Sequence, residues 1–467
     1  MKILQPHPDP QLQRAWNCAQ FGLLLLPISP LLAGVSFLLA IFDTWQKRHK
    51  DIRRQGVFRG FGILAIAIII TAVFAADKEA AFLGLFNFLP FFVFFAAFGT
   101  LIETPAQLRR MAWILAIGSV PVAIIGLGQI FWGWTGPVKL WLIVDWAIEP
   151  SGTPPGRMAS VFAYANVLAS YFLIPFILAL GLWFESFYTL RSLSRLPKFQ
   201  EMLRDPRDPR VVRLVDLNAT EDRAAVWQRW LFLSVVVLGN GLALILTNSR
   251  NAWAIAILAC LAFALYRGWR WLVAVFASSA GAILWSAFGR DPSRQWLRAI
   301  VPAYFWLRLS DELYPDRPVE TLRATQWQFA WQMAMERPWT GWGLRNFTPA
   351  YEAQMQLWLG HPHNLFLMLA AETGIPATLL LCGLVGWVLA RGLLFLREEP
   401  ATLPTETRAI AFLHDRLIFF TYLVAFSACT LFHILDVTLF DSRINVLGWL
   451  LLAAIYGIVN RRSSFHY

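Results

Sequence analysis

An all-α, polytopic membrane fold is what this sequence predicts, on three observations. Hydrophobic residues fill 57% of the 467 positions and charged residues only 15%, where a soluble domain would carry roughly 25% charged residues. Several apolar runs reach the roughly 18 residues that a helix needs to cross a bilayer. Many of the 23 tryptophans fall near the ends of those runs, as interfacial anchors do.

Helices are expected near 60–76, 81–102, 111–134, 159–184, 229–248, 251–267, 270–289, 366–396, 416–434 and 444–460. A further apolar stretch, 15–42, is broken by Pro27 and Pro30, which remove helical hydrogen bonds and clash with the preceding turn. It is either one long kinked span, giving eleven membrane helices, or a hairpin of two, giving about twelve; the hairpin is preferred. The first apolar run has no small-residue cleavage site, so no cleaved signal peptide is expected.

Charge sets the sidedness. Lys47, Arg48, Lys50, Arg53, Arg54 and Arg59 crowd one loop, and Arg191, Arg195, Lys198, Arg204, Arg207, Arg210, Arg213 and Arg223 crowd another. Arg109 and Arg110, Arg267 and Arg270, Arg391 and Arg397, and Arg461 and Arg462 fall on the same side by crossing parity, which should be the cytoplasm. The net charge of +11 is thereby explained by the membrane, not by nucleic acid. Cys18, Cys260, Cys382 and Cys429 all lie in apolar segments without metal or disulfide spacing.

The complementary loops face outward, and the longest, 290–362, contains arginine but no lysine. Helical periodicity around 320–337 and the turn-rich Pro338–Gly343 mark it as a structured cap. The chain therefore divides into N-terminal membrane helices (1–289), an extracytoplasmic cap (290–362) and C-terminal membrane helices (363–467).

Four clusters gather on that outer face. Ser249-Arg250-Asn251 joins two spans with almost no loop; an arginine there is either a snorkelling anchor or a ligand. Arg323 shares a helical face with Trp327 and Trp331, as an interfacial helix or a site would arrange them. His361-Pro362-His363-Asn364 opens an apolar helix, where polar groups are expensive unless partnered or water-lined, and histidine is suited to moving protons near neutral pH. Arg157, Phe162, Tyr164 and Asn166 stand at the start of another span. No P-loop, dinucleotide fingerprint or metal-ligand spacing is present. Outside the cytoplasm there is no nucleotide pool, so a transferase there needs a lipid-borne activated donor. A polyprenyl-pyrophosphate glycan qualifies: arginines would grip its phosphates and one histidine would serve as base.

His363-Asn364-x-x-Leu367 with Glu372-x-Gly374, preceded by Pro338-x-x-Gly341-x-Gly343 and Phe347, resembles the O-antigen ligase and O-antigen polymerase superfamily. Arg157 to Asn166, Ser249-Arg250, Arg323, and the pair His433 and Asp436 follow in that family's order, from about 157 to 445. The resemblance implies a metal-independent, inverting glycosyltransferase of the GT-C type, without cofactor, in the bacterial inner membrane and facing the periplasm. It would move a glycan from undecaprenyl pyrophosphate to a hydroxyl of lipid A core or of another glycan. Carried over by position, Arg250 and Arg323 would bind the donor pyrophosphate and His363 would be the base, with His361 still open for that role. Arg157, Asn166, Ser249, Arg345, His361, Asn364 and Glu372 would contact substrate or support those residues. A polysaccharide polymerase differs only in acceptor. A transporter of a small anion such as bicarbonate is the reading from another class, and the apolar middles of the spans speak against it.

Overall fold

The computed structural model describes residues 5–141, 143–202, 223–303, 306–307, 310, 318–398 and 406–463. Arg204, Arg207, Arg210 and Arg213 of the basic loop, with Arg308 and Arg317 of the cap, lie outside the described residues.

Among those residues the regular structure is helical apart from one hairpin, β1 (Val138–Leu140) with β2 (Val144–Trp146). Nine helical segments are long and apolar enough to cross a membrane, and Arg250–Tyr266 is a shorter apolar helix. The run 15–42 is two helices, α1 (Gln13–Leu25) and α2 (Pro30–Arg54). Ser29 accepts from the Leu32 N–H and Pro30 takes the first helical position, the arrangement that starts a helix. Asp43 accepts from the Ala15 N–H and Phe37 lies against Gly22, so the two run antiparallel. The stretch is thus a hairpin of two helices and not one kinked helix, and neither helix is among the nine candidate spans.

α3 (Gly56–Val73), α4 (Lys78–Gly84), α5 (Leu89–Leu101) and α6 (Pro105–Phe131) follow, then α7 (Ala165–Met202), α8 (Arg223–Leu246), α9 (Arg250–Tyr266), α10 (Arg270–Phe288) and α11 (Ser293–Ile300). The cap holds α12 (Arg323–Glu336) and α13 (Phe347–Met355), after which come α14 (Leu365–Thr373), α15 (Ile375–Arg397), α16 (Glu406–Leu435) and α17 (Ser442–Ser463). Spans from α7 and α17 are each 78% buried inside the protein and that from α16 72%, against 11% for α10 and for α15. The first three are therefore the central pillars. They close around Tyr171, Phe172, Phe419, Tyr422 and Phe432, while the others offer apolar faces to lipid.

One expected helix is corrected. The stretch 366–396 is not continuous: it breaks at Gly374, whose φ is +79°. A β-carbon there would stand 2.6 Å from the Trp339 carbonyl oxygen, and one on Gly341 (φ +65°) 2.5 Å from that of Glu372. Only glycine lets the two backbones meet this closely. The N–H groups of Trp342 and Gly343 donate to the carbonyls of Ala371 and Glu372, each at 2.9 Å, and that of Ile375 to Pro338 at 2.8 Å. The two glycine motifs are thus halves of one clasp that fixes the cap to the start of α15. The cap has its own small core of Phe329, Met333, Phe347 and Tyr351.

Candidate active site

His361 and His363 stand where the cap returns to the membrane helices, and Asp436 stands just past the end of α16. His363 Nδ1 lies 3.1 Å from Asp436 Oδ1, and His361 Nε2 lies 3.7 Å from the same oxygen. The rings meet edge to face, 4.6 Å between centroids. Asp436 Oδ1 also accepts from the Val437 N–H at 2.9 Å, and Oδ2 accepts from Asn166 Nδ2 at 2.6 Å. Asn166 Oδ1 in turn accepts from Arg157 Nη2, whose Nε donates to the Thr247 carbonyl at 2.8 Å. Four distant stretches of chain are joined in one hydrogen-bonded line.

The electrostatics separate the two histidines. His361 is the more enclosed: burial holds its imidazole down at about 4, against the raising influence of Asp436. Its Nδ1 accepts the His363 N–H at 3.2 Å, which places the ring proton on Nε2. Asp436 is itself buried, which would raise its carboxyl, but the bond from His363 and the charges of both histidines hold it below the ordinary value. His363, with its side chain 29% exposed against 20% for His361, has no partner for Nε2 among the described residues. Its backbone is left-handed, φ +52°, as are those of Asn248 and Arg345, and non-glycine residues in this conformation concentrate at functional sites.

The remaining expected residues divide. The Ser249-Arg250 turn is brought in, since Arg157 holds the Thr247 carbonyl and Asn251 donates to the Phe432 carbonyl at 3.0 Å. Ser249 precedes α9 without a side-chain capping bond. Arg323, exposed at the start of α12, is among the charges that depress His361. Three others serve structure. Asn364 accepts from the Leu367 N–H at 3.1 Å and caps α14. Glu372 is fully enclosed in the clasp: its carboxylate accepts from the Phe347 N–H at 3.2 Å, and burial lifts it to about 7 despite that bond and one from the Arg345 N–H. Arg345 belongs to this clasp.

Asp436, marked in the sequence only by the family resemblance, is the hub of the cluster. Its companion His433 is a satisfied core group, with Nδ1 2.7 Å from the Cys429 carbonyl. Arg443 was missed altogether. Buried beside Asp441, it lies over the Phe162 ring at 3.6 Å and donates to the Val161 carbonyl, holding the segment before α7.

His361, His363 and Asp436 offer three ligand atoms within 4.8 Å of one another, a set that two imidazoles and a carboxylate could present to a divalent ion. The fit is poor at His361: its Nε2 carries the ring proton while Nδ1 accepts from His363, so ligation would break that contact.

Residues 233–382 match the family model described as O-Antigen ligase. Over this stretch the chain is similar to the O-antigen ligase family. This supports membership of the O-antigen ligase and polymerase superfamily that the motifs resemble, in a multi-pass membrane protein. The match runs from α8 through the cap into α15, so the matched stretch contains the Arg250 turn, Arg323, both histidines and the clasp. Arg157, Asn166 and Asp436 lie beyond it on either side. No curated protein matches the chain.

Proposed function

We propose that the protein transfers a glycan from a polyprenyl pyrophosphate, of the undecaprenyl type, to a hydroxyl of lipid A core or of a second glycan. The observation that carries this reading is His363: Nδ1 is fixed on Asp436 while Nε2 remains open. Asp436 holds the tautomer in which Nε2 is the proton acceptor, the relation a carboxylate has to a catalytic histidine. Nε2 takes the acceptor's hydroxyl proton, the acceptor oxygen attacks the anomeric carbon, and the bond to the pyrophosphate oxygen breaks with inversion. Arg250 and Arg323 bind the pyrophosphate and balance the charge left on it. The leaving group needs no further activation, so the step runs without metal or cofactor.

His363, not His361, is the base. Both nitrogens of His361 face the protein, and a group held at about 4 is a weak proton acceptor at neutral pH. Its bond from the His363 N–H instead supports the strained backbone.

The location follows from parity. The nine spans, Arg250–Tyr266 and the α1–α2 hairpin make twelve crossings, with the basic loops on the cytoplasmic side of an inner membrane and the histidines facing the periplasm. The cap, 290–362, then covers the site between membrane helices 1–289 and 363–467.

In reconstituted vesicles with labelled lipid-linked glycan, His363→Ala should reduce turnover by about 10²- to 10⁴-fold, the usual worth of a general base, in a protein that stays folded. His361→Ala should retain more. Wild-type turnover in His363→Ala would refute the assignment.

A further inference from the structure

The structure assigns to Arg157 and Asn166 a coupling role: they are positioning residues that tie the turn bearing Arg250 to the orientation of His363. This rests on the glycan-transfer reading of the site.

The line of bonds runs from the Thr247 carbonyl through Arg157, Asn166 and Asp436 to His363 Nδ1. Its direction is chemically fixed. Asn166 faces a guanidinium with its oxygen and a carboxylate with its nitrogen, and flipping the amide would oppose like with like at both ends. Asp436 cannot turn freely, since Oδ2 is held by Asn166 while Oδ1 serves the Val437 N–H and His363. Arg157 spans its two acceptors with neighbouring N–H groups of one planar fork, which a lysine ammonium cannot reproduce. Its stretch is also pinned by the Met158 N–H donating to the Leu246 carbonyl at 2.9 Å.

Asn166 spends both ends of its amide on the protein, so its work is to aim Asp436 and not to hold sugar. Thr247 is three residues from Arg250. A shift of that turn when Arg250 engages pyrophosphate therefore reaches the carboxylate that sets the base, linking donor binding to proton abstraction. The Arg157–Asn166 arm and Asp436 lie outside the matched 233–382, so this coupling is built from parts of the chain on both sides of that stretch.

A double-mutant cycle tests it. Asn166→Ala should lower kcat about tenfold or more with donor KM within about twofold. In an Asp436→Asn background the same substitution should cost less than about twofold, because the residue it acts through is gone. If Asp436→Asn is too slow to measure, the exchange readout below decides. Equal losses in both backgrounds, or unchanged kcat in Asn166→Ala, would overturn the coupling. A second readout needs no turnover. Arg157→Gln should speed amide hydrogen exchange at residues 361–367 about threefold or more, a local opening far along the chain; an unchanged rate there would also overturn it. Wild-type protein that transfers no glycan would sink the functional reading, while the exchange result would still judge the coupling.

Discussion

The two ends of α16 carry two polar clusters of similar composition and opposite character. Near its start, Arg109 pairs with Glu185 at 2.6 Å and with Asp415 at 2.8 Å, and His414 stands 3.7 Å from Glu185. Near its end, Asp436 gathers His361, His363 and Asn166. The 21 residues from Asp415 to Asp436 span about 30 Å at 1.5 Å per residue, the thickness of the hydrocarbon layer, so the clusters sit at opposite membrane boundaries. In the first, the guanidinium lies between two carboxylates and ties α6, α7 and α16 together. In the second, one carboxylate serves two imidazoles and an open nitrogen remains. A buried ionic cluster is thus no site by itself; unspent bonding capacity beside the expected donor ligands is what distinguishes the histidine end.

Matched substitutions at the two ends should break or sharpen this contrast. Asp436→Asn is expected to lower turnover by roughly 10²- to 10⁴-fold, since the amide presents the wrong partner to His363 Nδ1. Asp415→Asn should leave turnover within about twofold and lower thermal stability, because its pair is partly exposed and of modest worth. Comparable kinetic losses for the two, measured in the same vesicles, would erase the distinction. Next in size, Arg250→Lys and Arg323→Lys should each lose about ten- to a hundredfold in kcat/KM for the donor, as about 1.5–3 kcal/mol rides on one charge-assisted hydrogen bond. Arg109→Lys should cost stability and spare the donor affinity; donor affinity unaffected at 250 and 323 would argue against pyrophosphate there.

The smallest effect lies in the clasp. Folding raises Glu372 from 4.5 to about 7, so the folded protein holds a proton that the unfolded chain has lost between those values. Stability should fall as pH rises from 4.5 to about 7 and level off above. Glu372→Gln should flatten that slope in melting curves, with turnover reduced only mildly; an unaltered slope would remove Glu372 as its source. His361, lowered from 6.5 to about 4, works in the opposite sense: its contribution is lost as pH falls through that window.

The membrane architecture was legible because a lipid-facing helix must satisfy its backbone internally and show apolar groups outward, which leaves long runs in the sequence. The break at Gly374 was hidden inside such a run, although Gly374-Ile375-Pro376 is a stop followed by a proline suited to starting a helix. His361 and His363 stood out as polar residues opening an apolar helix. Their partner did not: Asn166 and Asp436 are 270 residues apart, and only packing of α7 against α16 brings them together. Asn364 and Glu372 were legible as members of a motif, but not as a helix cap and a clasp, since a motif records that residues recur together and not what they touch.

The most direct test of the account is transfer by the purified protein in vesicles, with labelled polyprenyl-pyrophosphate glycan, an acceptor glycolipid, a chelator and no nucleotide. The account predicts labelled acceptor and released polyprenyl pyrophosphate in equal amounts. Vesicles that instead accumulate bicarbonate while the labelled donor stays intact would contradict it.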